Sequence, residues 1–271
     1  MNTFGKQLRY WRKAKGFSQL ELATEANVSS KHISFLETGR SLASREMVLL
    51  LTGTLDLSLR RRNELLRAAE FAESFTRMPI HQKEMQEIQH VLDLMLDKHD
   101  PYPAIVIDWD WNILQGNQGY EILGHAIRSQ CSVFPDTNNI VELIFDPDGF
   151  KPFIRNWEQV ASITIQRLYR ERLEHKGRHK TLLERLFKYP DTPKHWQTLN
   201  FGTKHVPMVY VEMEIDDKAL IFFTTLSSFG TPIDITAEEI MIEQYFPADD
   251  ATRLFFEDKI SGASTLKSSR Y

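Results

Sequence analysis

Ser30, Lys31, His32 and Ser34 put four polar side chains into five positions, on a stretch where Ile33 and Leu36 recur at helical spacing. Such a helix buries one side and turns hydroxyl, ammonium and imidazole groups outward, a set suited to hydrogen bonding rather than bond cleavage. Groupings that cleave or transfer do not occur: there is no glycine-rich phosphate loop, GxSxG elbow or HExxH zinc helix. His175 and His179 are four apart, yet Gly177 and the surrounding Lys/Arg run suit a solvated loop better than a metal site. Asp97, Asp100, Asp108 and Asp110 flank prolines and a tight turn, and read as caps and turn residues. Cys131 is the only cysteine, which excludes an internal disulfide and a cysteine-based zinc cage. No enzyme, metal or cofactor is expected.

The elements that must position the polar group are short helices. Phe4, Leu8 and Trp11 share one face of a first helix that stops at Gly16. Ser18-Gln19-Leu20-Glu21 has the capping-box pattern and opens a second helix with Leu22, Ala23 and Ala26 as its buried stripe. Asn27 suits the tight turn, and Ser29 caps the third helix, which Ile33 and Leu36 anchor over Val28. Two helices joined this way form a helix-turn-helix, whose second member enters the major groove with its first residues at the base edges. Helices from Ser44 and from Ser58 complete a five-helix head. Arg60-Arg61-Arg62 opposes the dipole at its helix start, so it is either a phosphate contact or a solvated charge run.

The segment Ser18–Arg40 resembles the DNA-binding motif of the Cro/repressor-type (XRE) family, including Gln19 and the closing Leu36-Glu37-x-Gly39. The resemblance implies that Gln19, Ser30, Lys31 and His32 face bases or adjacent phosphates, while Arg40 and Arg45 hold the backbone. Ser29 and Ser34 complete the expected set. It also implies a structural pair between Glu37 and Arg12. Phe35 departs from the polar residue often found there, and either touches a thymine methyl or packs.

Charge is distributed to match. To residue 75 the chain carries twelve basic against eight acidic residues, and beyond it 21 against 29, within a net charge of −4. A basic head on an acidic body suits a polyanion-binding module fused to something else. At 271 residues the chain has room for about two domains. The uncharged stretch Ala219–Ile233 is too short and polar to span a bilayer, and the N-terminus lacks a signal peptide's apolar core. A cytoplasmic protein without membrane attachment is expected.

After a joint at 72–80, a linker helix carries Met85, Ile88, Val91, Leu92, Met95 and Leu96 up to Pro101. Ala104–Asp108 and Trp111–Asn117 then alternate as two strands, and Asn117 caps a helix from Tyr120 to Ile127. This resembles the opening of a PAS domain. Helices follow over Asn139–Phe145, around Phe150–Asn156, over Trp157–Glu174 and over Lys180–Phe187, before a hairpin of Val206–Glu214 and Ala219–Ser227. The order predicts an α+β body with helices over one face of a sheet, where a cleft forms readily. Trp109, Trp111, Trp157, Phe222 and Phe223 either line a pocket or fill the core.

Head and body together resemble an MmyB-like transcriptional regulator. The resemblance rests on Ser34–Ser41, Ser44–Val48, Pro101-Tyr102-Pro103-Ala104, Trp111-Asn112, Asn117, Phe229-Gly230-Thr231-Pro232-x-Asp234 and Phe246-Pro247-Ala248-Asp249. It implies a PAS-like ligand-binding domain whose pocket holds a fatty-acid-like molecule. The expected domains are 1–75, a linker at 76–100, a ligand-binding domain at 101–260 and a flexible tail at 261–271. Trp157, Ala161, Thr164, Ile165 and Leu168 share a helix face, and Val106, Ile113, Phe222 and Thr224 are candidates for the facing wall, with Arg167 as the donor for a carboxylate. Which strand face points inward stays open. The expected function is a dimeric, ligand-responsive regulator reading a palindromic operator in double-stranded DNA. The alternatives are a DNA-tethered module that binds a toxin or polymerase subunit, and an enzyme with a DNA-binding head.

Overall fold

The computed structural model describes residues 3–174, 179–198 and 209–268. It divides into two compact units, 1–86 with 229–239 and 87–228 with 240–271. In the first, α1 (Thr3–Ala14), α2 (Gln19–Glu25), α3 (Ser30–Thr38), α4 (Arg45–Thr54) and α5 (Leu59–Ala68) enclose a core of Leu8, Leu22, Ile33, Leu36, Leu51 and Leu65. Local chemistry sets the helix starts. Ser18 and Glu21 form the reciprocal capping box, and Ser29 and Ser44 accept from the backbone N–H groups of His32 and Met47. Asn27 and Gly39 take left-handed backbone at the turns that end α2 and α3.

In the second unit, α6 (Gln86–His99) leads into β1 (Ala104–Ile107) and β2 (Ile113–Gly116). Then come α7 (Gln118–Arg128), α8 (Ile140–Phe145), α9 (Trp157–Glu174), α10 (Lys180–Leu186), β3 (Val211–Ile215) and β4 (Lys218–Ser228). After α11 (Ile235–Glu239), β5 (Met241–Pro247) and α12 (Asp250–Ser268) finish the chain. The sheet is antiparallel with strand order β2-β1-β5-β4-β3. The sequence pattern predicts four strands. β5 escaped it because Glu243 and Gln244 interrupt its apolar run, although it is the central strand. Val206–Met208, expected to begin β3, lie outside the described residues. α12 runs into the stretch expected to be a loose tail, and its Phe256 is buried against Phe222, centroids 5.9 Å apart.

The segment 229–239 belongs to the first unit although it lies between two strands of the second. Glu238 accepts from the backbone N–H of Leu59 through both oxygens, at 3.0 and 2.8 Å, so a carboxylate caps α5 where Ser58 makes no side-chain cap. Glu239 takes the Arg60 guanidinium in two bonds of 2.7 and 2.6 Å, and Asp234 accepts from the Thr76 hydroxyl at 2.7 Å. The arginine run is therefore held by partners within the chain and is not merely a solvated patch. Arg61 pairs with Glu64 over the Trp11 ring, and the Arg62 Nε donates to the Leu57 carbonyl. Acidic groups from far along the sequence supply the negative charge that the helix start requires.

Candidate functional site

On α3, Ser30 and Lys31 are exposed and His32 and Ser34 half-buried, all at the helix start, while Ile33 and Leu36 are fully buried behind them. Phe35 is a platform: the Lys31 ammonium lies 5.5 Å and the Arg40 guanidinium 5.9 Å from its ring centroid. Both cations are thus held on the outer side of the helix. Ser29 is committed to capping. Gln19 reaches inward, its amide nitrogen donating to Glu37 Oε2 at 2.8 Å, and Arg45 donates to the Ser74 hydroxyl. Glu37 also takes Arg12 in two bonds of 2.5 and 3.0 Å, and Arg12 Nη1 donates to the Phe17 carbonyl at 2.8 Å. The buried pair therefore ties α1 to α3.

In the second unit, a cavity of about 140 Å³ lies between one face of the sheet and α7, α8 and α9. Its walls are mainly apolar, with Leu123, Val141, Ile144, Phe150, Ile163 and Met213 among them. The polar exceptions include Thr164, Arg167, Thr224, Glu243 and Tyr245. The Tyr245 hydroxyl donates to Glu243 Oε2 at 3.2 Å. Burial raises the Glu243 carboxyl above the usual carboxylate range against the opposing pull of Arg167 and Tyr245. Burial, with Glu243 beside it, also pushes the Tyr245 phenol well up. Both residues show some surface, and that surface faces the cavity.

Residues 88–257 match the MmyB-like transcription regulator ligand binding domain, and residues 8–61 match a helix-turn-helix family. The chain belongs to the MmyB-like transcription regulators. No curated protein matches it. It is similar to the crystal structure of the clp gene regulator ClgR from Corynebacterium glutamicum, at 27% identity over 37% of this chain and 93% of that one, with TM-score 0.23. It is also similar to the structure of an RNA-binding light-oxygen-voltage receptor, at 10% identity over 98% of this chain and 64% of that one, with TM-score 0.25. This MmyB-like regulator is accordingly a DNA-binding transcription regulator with a ligand-binding domain. None of its described helices is long and apolar enough to cross a membrane.

Of the residues expected at the pocket of this MmyB-like regulator, Thr164, Arg167 and Thr224 line the cavity. Register settles the inward strand face: Ile105 stands opposite Glu243, so Val106, opposite Ile242, points away. Phe222 is on the cavity side but packs under α12, and Ile113 packs half-buried against the same core. On α9 the lining face is Val160, Ile163, Thr164 and Arg167, turned by one residue, roughly 100°, from the face expected. Ala161, Ile165 and Leu168 are buried in the core instead, and Trp157 packs on Phe145 and donates to the Ile144 carbonyl.

His179 is buried, not on a solvated loop, and takes left-handed backbone with its Nε2 3.1 Å from Glu171 Oε2, close but not aligned as a hydrogen bond. His175 lies outside the described residues. Burial works to raise the Glu171 carboxyl, but the adjacent His179 imidazole and the hydrogen bond and charge of Arg167 outweigh it and hold the group below its usual range. Arg167 Nε donates to Glu171 Oε1 at 2.9 Å, and its guanidinium lies 4.6 Å from the Trp111 ring centroid. The sequence offered no signal for Glu171, Glu243 or Tyr245. Among the described residues no group of three His, Cys, Asp or Glu could hold a metal ion. Asp100 accepts from the Gly119 N–H and Asp108 from those of Asp110 and Asn112, which are turn and cap duties.

Proposed function

We propose that this chain is a cytoplasmic, non-enzymatic regulator that reads a palindromic operator as a homodimer and changes its DNA affinity when a small, mostly apolar ligand, such as one with an acyl chain, fills the cavity. The observation that carries the reading is the apolar cavity of about 140 Å³ inside the matched ligand-binding domain. A cavity of that order accepts a molecule the size of benzene. A module that only docked another protein would need no such void. The strand order, with helices between β2 and β3, supports the PAS-like description. Isothermal titration with straight-chain alkyl compounds of graded length tests the ligand class; absence of binding at every length rules it out.

Dimeric reading follows from size, because one recognition helix buries too little surface for tight operator binding. Half-sites about one helical turn apart are expected, and a footprint showing a lone half-site protected by a monomer would contradict this. Within each half-site, Lys31→Ala should change sequence preference. Arg40→Ala should weaken binding to all sequences and reduce the salt slope by about one. Titrations over a salt series on selected and random duplexes check both, and an equal loss on the two DNAs for Lys31→Ala would reduce that residue to a phosphate contact.

A further inference from the structure

We propose that the outer face of α6 is the surface through which two copies of this chain pair, antiparallel, about a two-fold axis beside Leu92 and Asp93. The inference rests on the homodimer reading and assigns it a surface. At roughly 100° per residue, Leu92, Leu96 and His99 fall on one side of the helix, and all three are buried. His99 Nε2 lies 2.9 Å from the Tyr245 carbonyl oxygen, and Asp93 accepts from the Gln115 amide at 2.6 Å, so the helix is held to the sheet from that side. Glu87, Val91, Leu94 and Lys98 fall on the opposite side, within about 60° of one another, and all four are exposed.

Val91 and Leu94 are 40% and 49% exposed, where a surface helix normally carries polar groups. A lone exposed aliphatic needs no partner, but these two adjoin on one face. The spacing from Glu87 to Lys98, four, three and four residues, is that of a helix-pairing seam. Its order is also self-complementary. Glu87 and Lys98 stand equally far, about 8 Å along the axis, from a midpoint between Leu92 and Asp93, and Val91 and Leu94 stand about 2 Å from it. A two-fold axis through that midpoint sets Val91 against the partner's Leu94 at the centre and Glu87 against the partner's Lys98 at each end. A parallel pair would instead oppose like charges at both ends. On one flank, half-buried Ile88 and Met95 extend the apolar centre, and on the other, exposed His90 and Asp97 form a polar rim. One 14-residue helix buries less than a standard interface, so a micromolar dissociation constant is expected away from DNA.

The test is sedimentation equilibrium of the full-length protein from about 1 to about 200 μM, with circular dichroism to show that each variant is folded. The variants are Leu94→Glu, Glu87→Lys, Lys98→Glu and the double variant Glu87→Lys/Lys98→Glu. Wild type should dimerise. Leu94→Glu sets two charges at the centre of the seam and should weaken pairing at least about thirtyfold. Each single charge reversal opposes like charges at both ends and should weaken it about tenfold, whereas the double variant restores both ion pairs and should return to within about threefold of wild type. A dimer unaffected by Leu94→Glu, or a double variant no tighter than the single ones, overturns the inference and leaves the homodimer reading standing. Wild type that stays monomeric over the whole range overturns the inference, and a monomer on a selected duplex as well overturns both.

Discussion

Replacing Glu37 by alanine is expected to lower the stability of the helix-turn-helix unit by about 3–5 kcal/mol, because it leaves Arg12 buried without its partner. The side chains of Arg12 and Glu37 are only 8% and 2% exposed, so water cannot substitute for the lost carboxylate. Gln19 loses its acceptor in the same step, and the tie from α1 to α3 goes with it. Urea denaturation, with hydrogen exchange over α1 to α3 to localise the effect, measures the loss. Replacing both members by methionine should cost far less than the single substitution, since no unpaired charge remains. A single variant as stable as wild type would show that the pair contributes nothing.

Asn117→Ala should cost the second unit about 2–5 kcal/mol, from a lost helix cap and an orphaned buried donor. Asn117 Oδ1 accepts from the backbone N–H of Ala104 at 2.8 Å and of Tyr120 at 3.0 Å, and its Nδ2 donates to the Tyr102 carbonyl at 2.7 Å. One buried amide thus joins the entry of β1, the chain before it and the start of α7. Serine at this position can still cap α7 but is too short to keep all three bonds, so Asn117→Ser should lose about half as much. Denaturation followed by exchange at Ala104 and Tyr120 checks the pair of values, and a loss below about 1 kcal/mol for the alanine variant would contradict them.

What could be read from the sequence was local. Ser18, Glu21, Ser29, Ser44 and Asn117 lie within three residues of the amides they cap, so their patterns announce the helix starts directly. Glu37 and Arg12 came from the resemblance and are joined in the structure. What escaped depends on partners distant in sequence. The cap of α5 comes from Glu238, 179 positions away, and nothing around Ser58 signals it. Gln19 has the residue type of a base reader but is held by Glu37, whose position only the folded chain reveals. The cavity face of α9 was misjudged by one residue because both adjoining faces carry apolar side chains, and only packing decides which one borders a void. Glu243 disguised its own strand: a carboxyl in mid-strand argues against burial, and here it stands on the cavity wall, where a polar group departs from the folding pattern.

Occupancy of the cavity is expected to alter DNA binding, which requires a ligand to prefer one conformation over another. The decisive measurement is the dissociation constant of the full-length protein for a duplex selected from random sequence, at fixed salt, with and without a saturating alkyl ligand whose binding calorimetry has established. A shift of at least about fivefold is expected, the lower end of ordinary coupling between sites. It should vanish in Ile163→Trp, which fills the cavity from α9. An unchanged constant while the ligand is bound would contradict the claim.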